Sequence, residues 1–417
     1  MEKTKISKAK GRFVNLALML FVITLFESVC LVSLLVKSEV QYRLNILISY
    51  GVFIAVQYGY FLGTRMILKR KGFEVELIAF LLTSIGLSIT LSVYPEKAIK
   101  QLVAILIGIG GFIFLQWLLR DINRVMALRI PAAIVALVAL FGTLILAKAT
   151  NGAKNWLYIG GLSIQPSEIV KAIFIFVGSA TLEKLQSNKS LTKFIIFSFL
   201  CVGSLFLMYD FGTALIFFFT FIVISFMRSG DIRTLILVCA AAFMGGILVL
   251  VFKPYVARRF MSFGHAWENF DTSGFQQTRN MIYSASGGLF GVGLGNGKLR
   301  NVFASTEDLV FGMVCEEFGM ITAGAILLCY VALLVYSIRH SKYARSTFYA
   351  ISAISASSLM LFQASLNVFG VNDIIPWTGV TLPFISRGGS SIMSCWFLLA
   401  FIKAVDRGTY RYGGVRQ

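Results

Sequence analysis

The chain has 417 residues, of which 57% are hydrophobic and 14% charged, with a formal net charge of +19. A mean hydropathy of +0.81 lies well outside the range of water-soluble domains and places the chain among integral membrane proteins. The basic residues are spread through short loops beside apolar runs and form no aromatic-laced patch, which argues against a nucleic-acid partner.

Apolar runs long enough to cross about 30 Å of hydrocarbon, roughly 20 helical residues, fall at 13–36, 44–68, 77–94, 99–119, 130–148, 168–183, 193–209, 211–227, 233–252, 309–338, 346–370 and 388–405. An all-α polytopic protein of about twelve transmembrane helices is therefore expected. Lys and Arg recur in every second loop: Lys3 to Arg12, Lys69-Arg70-Lys71, Arg120 to Arg129, Lys184 to Lys193, Arg228 and Arg233, Arg339 to Arg345, and Lys403 to Arg416. The bias of positive charge toward the cytoplasm puts both termini inside. It also gathers 150–167, Asp210, 253–308 and 371–387 on the outer side. The first apolar run is too long for a cleaved signal and lacks a small-residue cleavage site, so it is expected to remain as the first span.

All six cysteines (Cys30, Cys201, Cys239, Cys315, Cys329 and Cys395) lie in apolar runs, where a thiol behaves as a small hydrophobe. With only His265 and His340 and no paired His/Cys spacing, no tightly bound transition metal is expected. Every unusual motif follows residue 150, dividing the chain into N-terminal helices over 1–150, with no named chemistry, and a functional core over 151–417.

The first motif runs from Asn151 through Trp156 to Gly161, then Gln165-Pro166-Ser167-Glu168, with Lys171 one helical turn on. Pro166 suits a helix start, and the i,i+3 spacing lets Lys171 neutralise Glu168. That pair is either structural or the lining of a cavity for an anionic lipid head group. The second motif, Tyr209-Asp210-Phe211-Gly212-Thr213, reads as a helix cap or an orienting acid. The third joins Arg258-Arg259, Gln276 and the glycine-dense stretch from Gly287 to Gly297, where backbone could approach a ligand closely. Glu307-Asp308 closes this loop at the edge of an apolar run, and Glu316-Glu317 follow inside it; carboxylates at such positions are costly and read as functional. At least one of Glu316 and Glu317 should face a cavity or pair with a basic group. The fourth, Pro376 to Ser391, breaks helical pattern between two spans and includes Ser386, Arg387, Ser390 and Ser391.

These four motifs, in this order, resemble the SEDS family (shape, elongation, division and sporulation). The family's G-A-x-x-W and Q-P-S-E appear as Gly152 to Trp156 and Gln165 to Glu168, and its P-D-L-G-T as Tyr209 to Thr213. Its glycine stretch matches Ala285 to Gly295, and its P-L-P-F-x-S-x-G-G-S-S matches Thr381 to Ser391. The chain departs from the pattern before Asp308, where Phe303-Ala304-Ser305-Thr306-Glu307 stands in place of a Pro-Glu-x-His-Thr run. Tyr209 also replaces a Pro and Arg387 a Tyr, and two N-terminal helices exceed the expected number.

The resemblance implies a glycosyltransferase of the bacterial cytoplasmic membrane that polymerises lipid II into glycan strands on the outer face. It also implies a class B penicillin-binding protein as partner, among other cell-wall and division proteins. On that reading Asp308 is the general base for the acceptor sugar hydroxyl, a role compatible with the blander one of capping its helix. Lys171, Arg258, Arg259 and Arg387 would supply cations for the departing undecaprenyl pyrophosphate, with Gln276, Ser386, Ser390 and Ser391 binding substrate. Gln165, Ser167, Glu168, Asp210, Glu316 and Glu317 would be structural or orienting. No tightly bound cofactor is implied, although Mg or Mn could bridge the pyrophosphate to a carboxylate. A precursor flippase and a non-catalytic scaffold for the penicillin-binding protein are the competing readings.

Overall fold

The computed structural model describes residues 15–70, 72–148, 153–159, 162–183, 188–230, 236, 240 and 263–406. Among these, the chain forms α1 (Leu16–Lys37), α2 (Val40–Ile67), α3 (Glu74–Val93), α4 (Ala98–Leu118), α5 (Ile122–Leu146), α6 (Pro166–Thr181), α7 (Asn188–Leu207) and α8 (Phe211–Ser229). After the residues not described come α9 (Phe275–Ser286), α10 (Val310–Ser341), α11 (Thr347–Val371) and α12 (Gly389–Ala404). A two-stranded antiparallel hairpin, β1 (Leu157–Ile159) and β2 (Leu162–Ile164), precedes α6. Among the described residues eight segments are long and apolar enough to cross a membrane, and α7 and α12 contribute shorter apolar stretches. The protein is a multi-pass α-helical membrane protein. The expected span at 233–252 lies almost entirely outside the described residues.

Local sequence explains where the helices begin and end. Asn15 accepts from Leu18 N at the head of α1, Asp121 from Asn123 N at α5, and Asp210 from Thr213 N at α8, each satisfying an amide that the helix leaves unpaired. Pro166 occupies the first turn of α6, and Gly230, at φ 62°, closes α8. The strongest packing joins α4 to α12, α10 to α11 and α5 to α6, so the early helices are built into the same bundle as the later ones. Trp396 of α12 is fully buried against the rings of Phe80, Phe112 and Phe384.

Loop contacts sort into two ends that match the alternation of basic residues. At one end Arg345 Nη1 donates to Arg120 O at 2.9 Å and Tyr349 Oη to Leu119 O at 2.7 Å. At the other, Lys37, Tyr94, Asn155, Asp210, Gln277, Asp373 and Arg387 enter the contacts that join the loops. Near the first end, buried Glu76 in the opening turn of α3 sits between two cations. Arg70 Nη1 lies 3.3 Å from its Oε1 and Lys403 Nζ, from the last turn of α12, 3.2 Å from its Oε2. Tyr60 Oη donates to the same carboxylate, Arg70 also reaches Gln116, and Lys403 also reaches Gly72 O. Such a network ties the last helix to the α2–α3 junction, and its members are strongly interdependent because none can be left alone away from water.

Replacing Lys403 by Met leaves Glu76 short of a cation and is expected to cost about 3–5 kcal/mol, the usual penalty for removing one partner of a buried pair. Thermal unfolding of the purified protein in detergent checks this. An unchanged midpoint would mean that the network carries no such load.

Candidate functional site

The segment leading into α10 folds into a tight turn around Ala304, whose φ is 60°. Ala304 O collects the amides of Glu307, Asp308 and Leu309 at 3.1, 3.1 and 3.3 Å. The N-cap of α10 is Leu309, with no side-chain cap. The capping role weighed beside catalysis for Asp308 is not taken up, since the N-cap position of α10 falls on Leu309. The half-buried Asp308 carboxylate faces Gly379, where an added Cβ would lie 3.5 Å from Oδ2.

Three consecutive carbonyls of this segment are gripped by residues from later in the chain. Arg387 N donates to Thr306 O at 2.7 Å, Ser386 Oγ to Glu307 O at 2.6 Å, and Asn367 Nδ2 to Asp308 O at 2.8 Å. Asn367 Nδ2 also reaches Val380 O at 2.7 Å, and Ser386 Oγ accepts from Leu382 N at 2.7 Å. The Arg387 side chain reaches Thr306 Oγ1 at 3.0 Å, pairs with Glu307, and lies over the Tyr94 ring, 4.3 Å from its centre. Lys97 approaches the same ring at 4.1 Å, so two cations gather beside Glu307.

The loop that supplies these grips lies deep in the protein. Phe384 and Ile385 are buried, Tyr330 Oη holds Pro383 O at 2.6 Å, and a Cβ on Gly86 of α3 would strike Phe384 O at 2.6 Å. Irregular backbone at membrane depth persists where protein surrounds it. The second motif is explained by the same loop, since a Cβ on Gly212 would meet Thr378 O at 2.8 Å. Asp210 caps α8 and also accepts from Asn155 Nδ2 at 3.0 Å and Gln165 Nε2 at 3.1 Å, fastening the first motif to the second.

A buried polar chain runs from α6 to the same loop. Glu168 and Lys171 pair at 2.7 Å, and Lys171 Nζ donates to Gln363 Oε1 at 2.8 Å. Gln363 Nε2 reaches Thr381 O and Oγ1, and Thr381 Oγ1 lies 2.9 Å from Ser391 Oγ. Ser390 Oγ accepts from Gln165 N at 3.4 Å, and Ser394 Oγ donates to Glu168 O at 2.6 Å. Lys171 is only 2% exposed, so in this conformation it serves the chain's own carboxylate and amide. Ser167 is buried, and its hydroxyl has no hydrogen-bond partner among the described residues. Gln276 on α9 donates to Phe303 O at 2.9 Å, tying that helix to the turn before Asp308. Arg258 and Arg259 lie outside the described residues.

The glycine-dense stretch and Glu316-Glu317 form one unit on the flank of α10, and here two expectations are corrected. The glycines admit the chain's own helix: a Cβ on Gly287 would sit 2.1 Å from Cys315 O, and one on Gly291 2.3 Å from Glu317 O. Val292 N and Gly293 N donate to Glu316 O and Glu317 O, while Met320 N and Ile321 N return bonds to Gly288 O and Leu289 O. This exchange interrupts α10 at Gly319 (φ 85°, ψ 166°), so the expected single span is two helical pieces meeting at a kink. Glu316 takes the amides of Lys298 at 2.6 Å and Leu299 at 2.9 Å, so backbone N–H groups satisfy that carboxylate.

Among the described residues, no three His, Cys, Asp or Glu side chains converge to hold a metal ion. The sequence reading missed Asn367, Gln363, Tyr94 and Lys97, and gave no role of their own to Asn155 and Thr381 within the motifs that contain them. Asn367 and Gln363 carry the one available signal, as amides buried in an apolar span.

The sequence signature of the FtsW/RodA/SpoVE family of cell cycle proteins matches residues 73–411. The chain belongs to this family, the SEDS proteins. A probable peptidoglycan glycosyltransferase FtsW from Wigglesworthia glossinidia brevipalpis is 32% identical over 309 residues, 71% of this chain and 80% of that protein. The peptidoglycan glycosyltransferase RodA of Mycobacterium bovis is 28% identical over 335 residues, 76% of this chain and 71% of that protein. The fold also matches, with a TM-score of 0.65 at 23% identity, a chain from a peptidoglycan synthase complex that coordinates polymerization and crosslinking; the match covers 81% of this chain and 98% of that one. The family match begins after α2, leaving α1 and α2 as a hairpin ahead of it.

Gly319→Ala tests the interlock between the glycine stretch and α10. Its dihedrals belong almost exclusively to glycine, and a Cβ there would lie 2.3 Å from Leu289 O. A loss of at least about 1–3 kcal/mol is expected, seen as a lower unfolding midpoint and faster proteolysis of 287–297. Wild-type behaviour in both assays would contradict the interlock.

Proposed function

We propose that this SEDS protein is a peptidoglycan glycosyltransferase that polymerises lipid II at the outer face of the bacterial cytoplasmic membrane. The observation that carries the reading is the Asp308 carboxylate, seated where three consecutive peptide carbonyls are held by Arg387, Ser386 and Asn367. The names of the relatives support the activity. The alternation of basic loops supports an outward-facing Asp308.

The chemistry follows from that placement. Asp308 accepts the proton of the acceptor sugar 4-hydroxyl as its oxygen bonds to the donor's anomeric carbon. The bond to undecaprenyl pyrophosphate breaks on the opposite side, inverting the centre. A base must keep its lone pair aimed at the proton through the transition state, and the backbone grip on residues 306–308 supplies that orientation without spending the carboxylate on capping. The leaving pyrophosphate gains negative charge, and Arg387 and Lys97, gathered around Tyr94, are cations available to receive it. Glu307 occupies Arg387 in the meantime and leaves it when the phosphate arrives.

Lys171, Glu168, Gln363, Thr381 and Ser391 position the loop from within. Among the described residues no three carboxylate, His or Cys side chains converge on a cation; a Mg or Mn ion held between the pyrophosphate and a carboxylate would fit hard oxygen ligands, and no step is routed through it. A class B penicillin-binding protein is the proposed cross-linking partner, supported by the match to a chain from a synthase complex.

Purified protein with its partner and labelled lipid II tests the reading. Asp308→Ala is expected to lower polymer formation by roughly 10²- to 10⁴-fold, the typical contribution of a positioned base. Polymer made by the variant at the parent rate would overturn it. Lipid II translocation in sealed vesicles, with no polymer from the parent, would instead identify a flippase.

A further inference from the structure

The α1–α2 hairpin stands ahead of the family match, yet its first helix is fastened to the family's glycine-dense stretch. Lys37, in the last turn of α1, donates from Nζ to Leu294 O and, at 2.8 Å, to Asn296 Oδ1. Ser33, one turn earlier, donates to Leu294 O at 3.4 Å. Gly295, at φ 77°, leaves room for the lysine stem, since a Cβ there would be 3.2 Å from Lys37 Cδ. Lower on the same helix, the Phe26 ring meets Phe318 with centroids 5.8 Å apart, immediately before the kink at Gly319.

Two routes lead from this attachment to Asp308. Through Val292 N and Gly293 N, the stretch holds Glu316 O and Glu317 O on the first piece of α10. Asp308 lies just ahead of that piece, which begins at Val310. Through Lys298 N and Leu299 N it holds the Glu316 carboxylate, and the turn at 299–301 then leads directly into residues 302–308. The first route is backbone hydrogen bonds and one short helix; the second passes through the buried Glu316 carboxylate, held by two backbone amides.

We propose that Lys37 is a positioning residue: the N-terminal hairpin uses it to clamp the glycine-dense stretch against α10 and thereby hold Asp308 in register for proton transfer. This rests on Asp308 being the base. The ammonium group suits the task because a charged donor makes stronger bonds to a carbonyl and an amide oxygen than a neutral one. It is the one side chain of α1 shown bridging two residues of the stretch.

The full-length chain in detergent tests this with two readouts. Lys37→Met keeps the apolar stem and loses the donors. Its expected effects are roughly tenfold faster amide exchange at Val292 and Gly293, in line with losing a charge-assisted bond, and roughly tenfold lower kcat for lipid II polymerisation with KM unchanged. Lys37→Arg is expected to restore both. Exchange that stays at the parent level overturns the clamp, and faster exchange with unchanged kcat overturns its role in catalysis. A rise in KM at constant kcat does the same. If the parent forms no polymer, the glycosyltransferase reading has failed, and the exchange readout still decides whether Lys37 holds the stretch.

Discussion

Thr306, Glu307 and Asp308 present three carbonyls in a row, and a backbone amide, a serine hydroxyl and an asparagine amide each take one. A short segment between a loop and a membrane helix would ordinarily be free to move, because its backbone groups could exchange protein partners for water. Here each carbonyl has a partner fixed by a buried element. Ser386 and Arg387 belong to a loop packed beneath α3 and α10, and Asn367 to the buried last part of α11. The carboxylate is thus oriented by its own peptide frame, with Oδ2 beside Gly379.

The rest of the bundle supports that frame. Asp210 draws Asn155 and Gln165 to the head of α8, the Glu168–Lys171 pair reaches Thr381 through Gln363, and the glycine-dense stretch interlocks with the kink of α10. In hydrocarbon an unpaired polar group is expensive, so a polar chain of this length persists only when its members satisfy one another. The same reasoning makes Glu76, Arg70 and Lys403 a tie between the first and last parts of the chain.

Much of this was legible from residues alone. Apolar length and alternating basic loops outlined the bundle, and four motifs in order pointed to one family and to Asp308. The motifs did not reveal which partners their residues would meet. Glycine density reads the same whether the close neighbour is a ligand or another helix, and only the Cys315 and Glu317 carbonyls, lying against Gly287 and Gly291, decide between them. A capping role for Asp308 was compatible with its place before the apolar run, but the left-handed turn at Ala304 is a tertiary feature with no local signature. Asn367 escaped notice because one polar residue in a long apolar helix has many bland explanations, whereas its two carbonyl partners come from segments far apart in sequence.

The central claim is that the frame acts through the acid, and a double-mutant cycle in lipid II polymerisation isolates that coupling. Asn367→Ala should slow an otherwise intact chain while leaving the residual rate of an Asp308→Ala chain unchanged, because there is no longer a carboxylate to orient. If the two losses multiply, Asn367 and Asp308 act independently and the account is wrong.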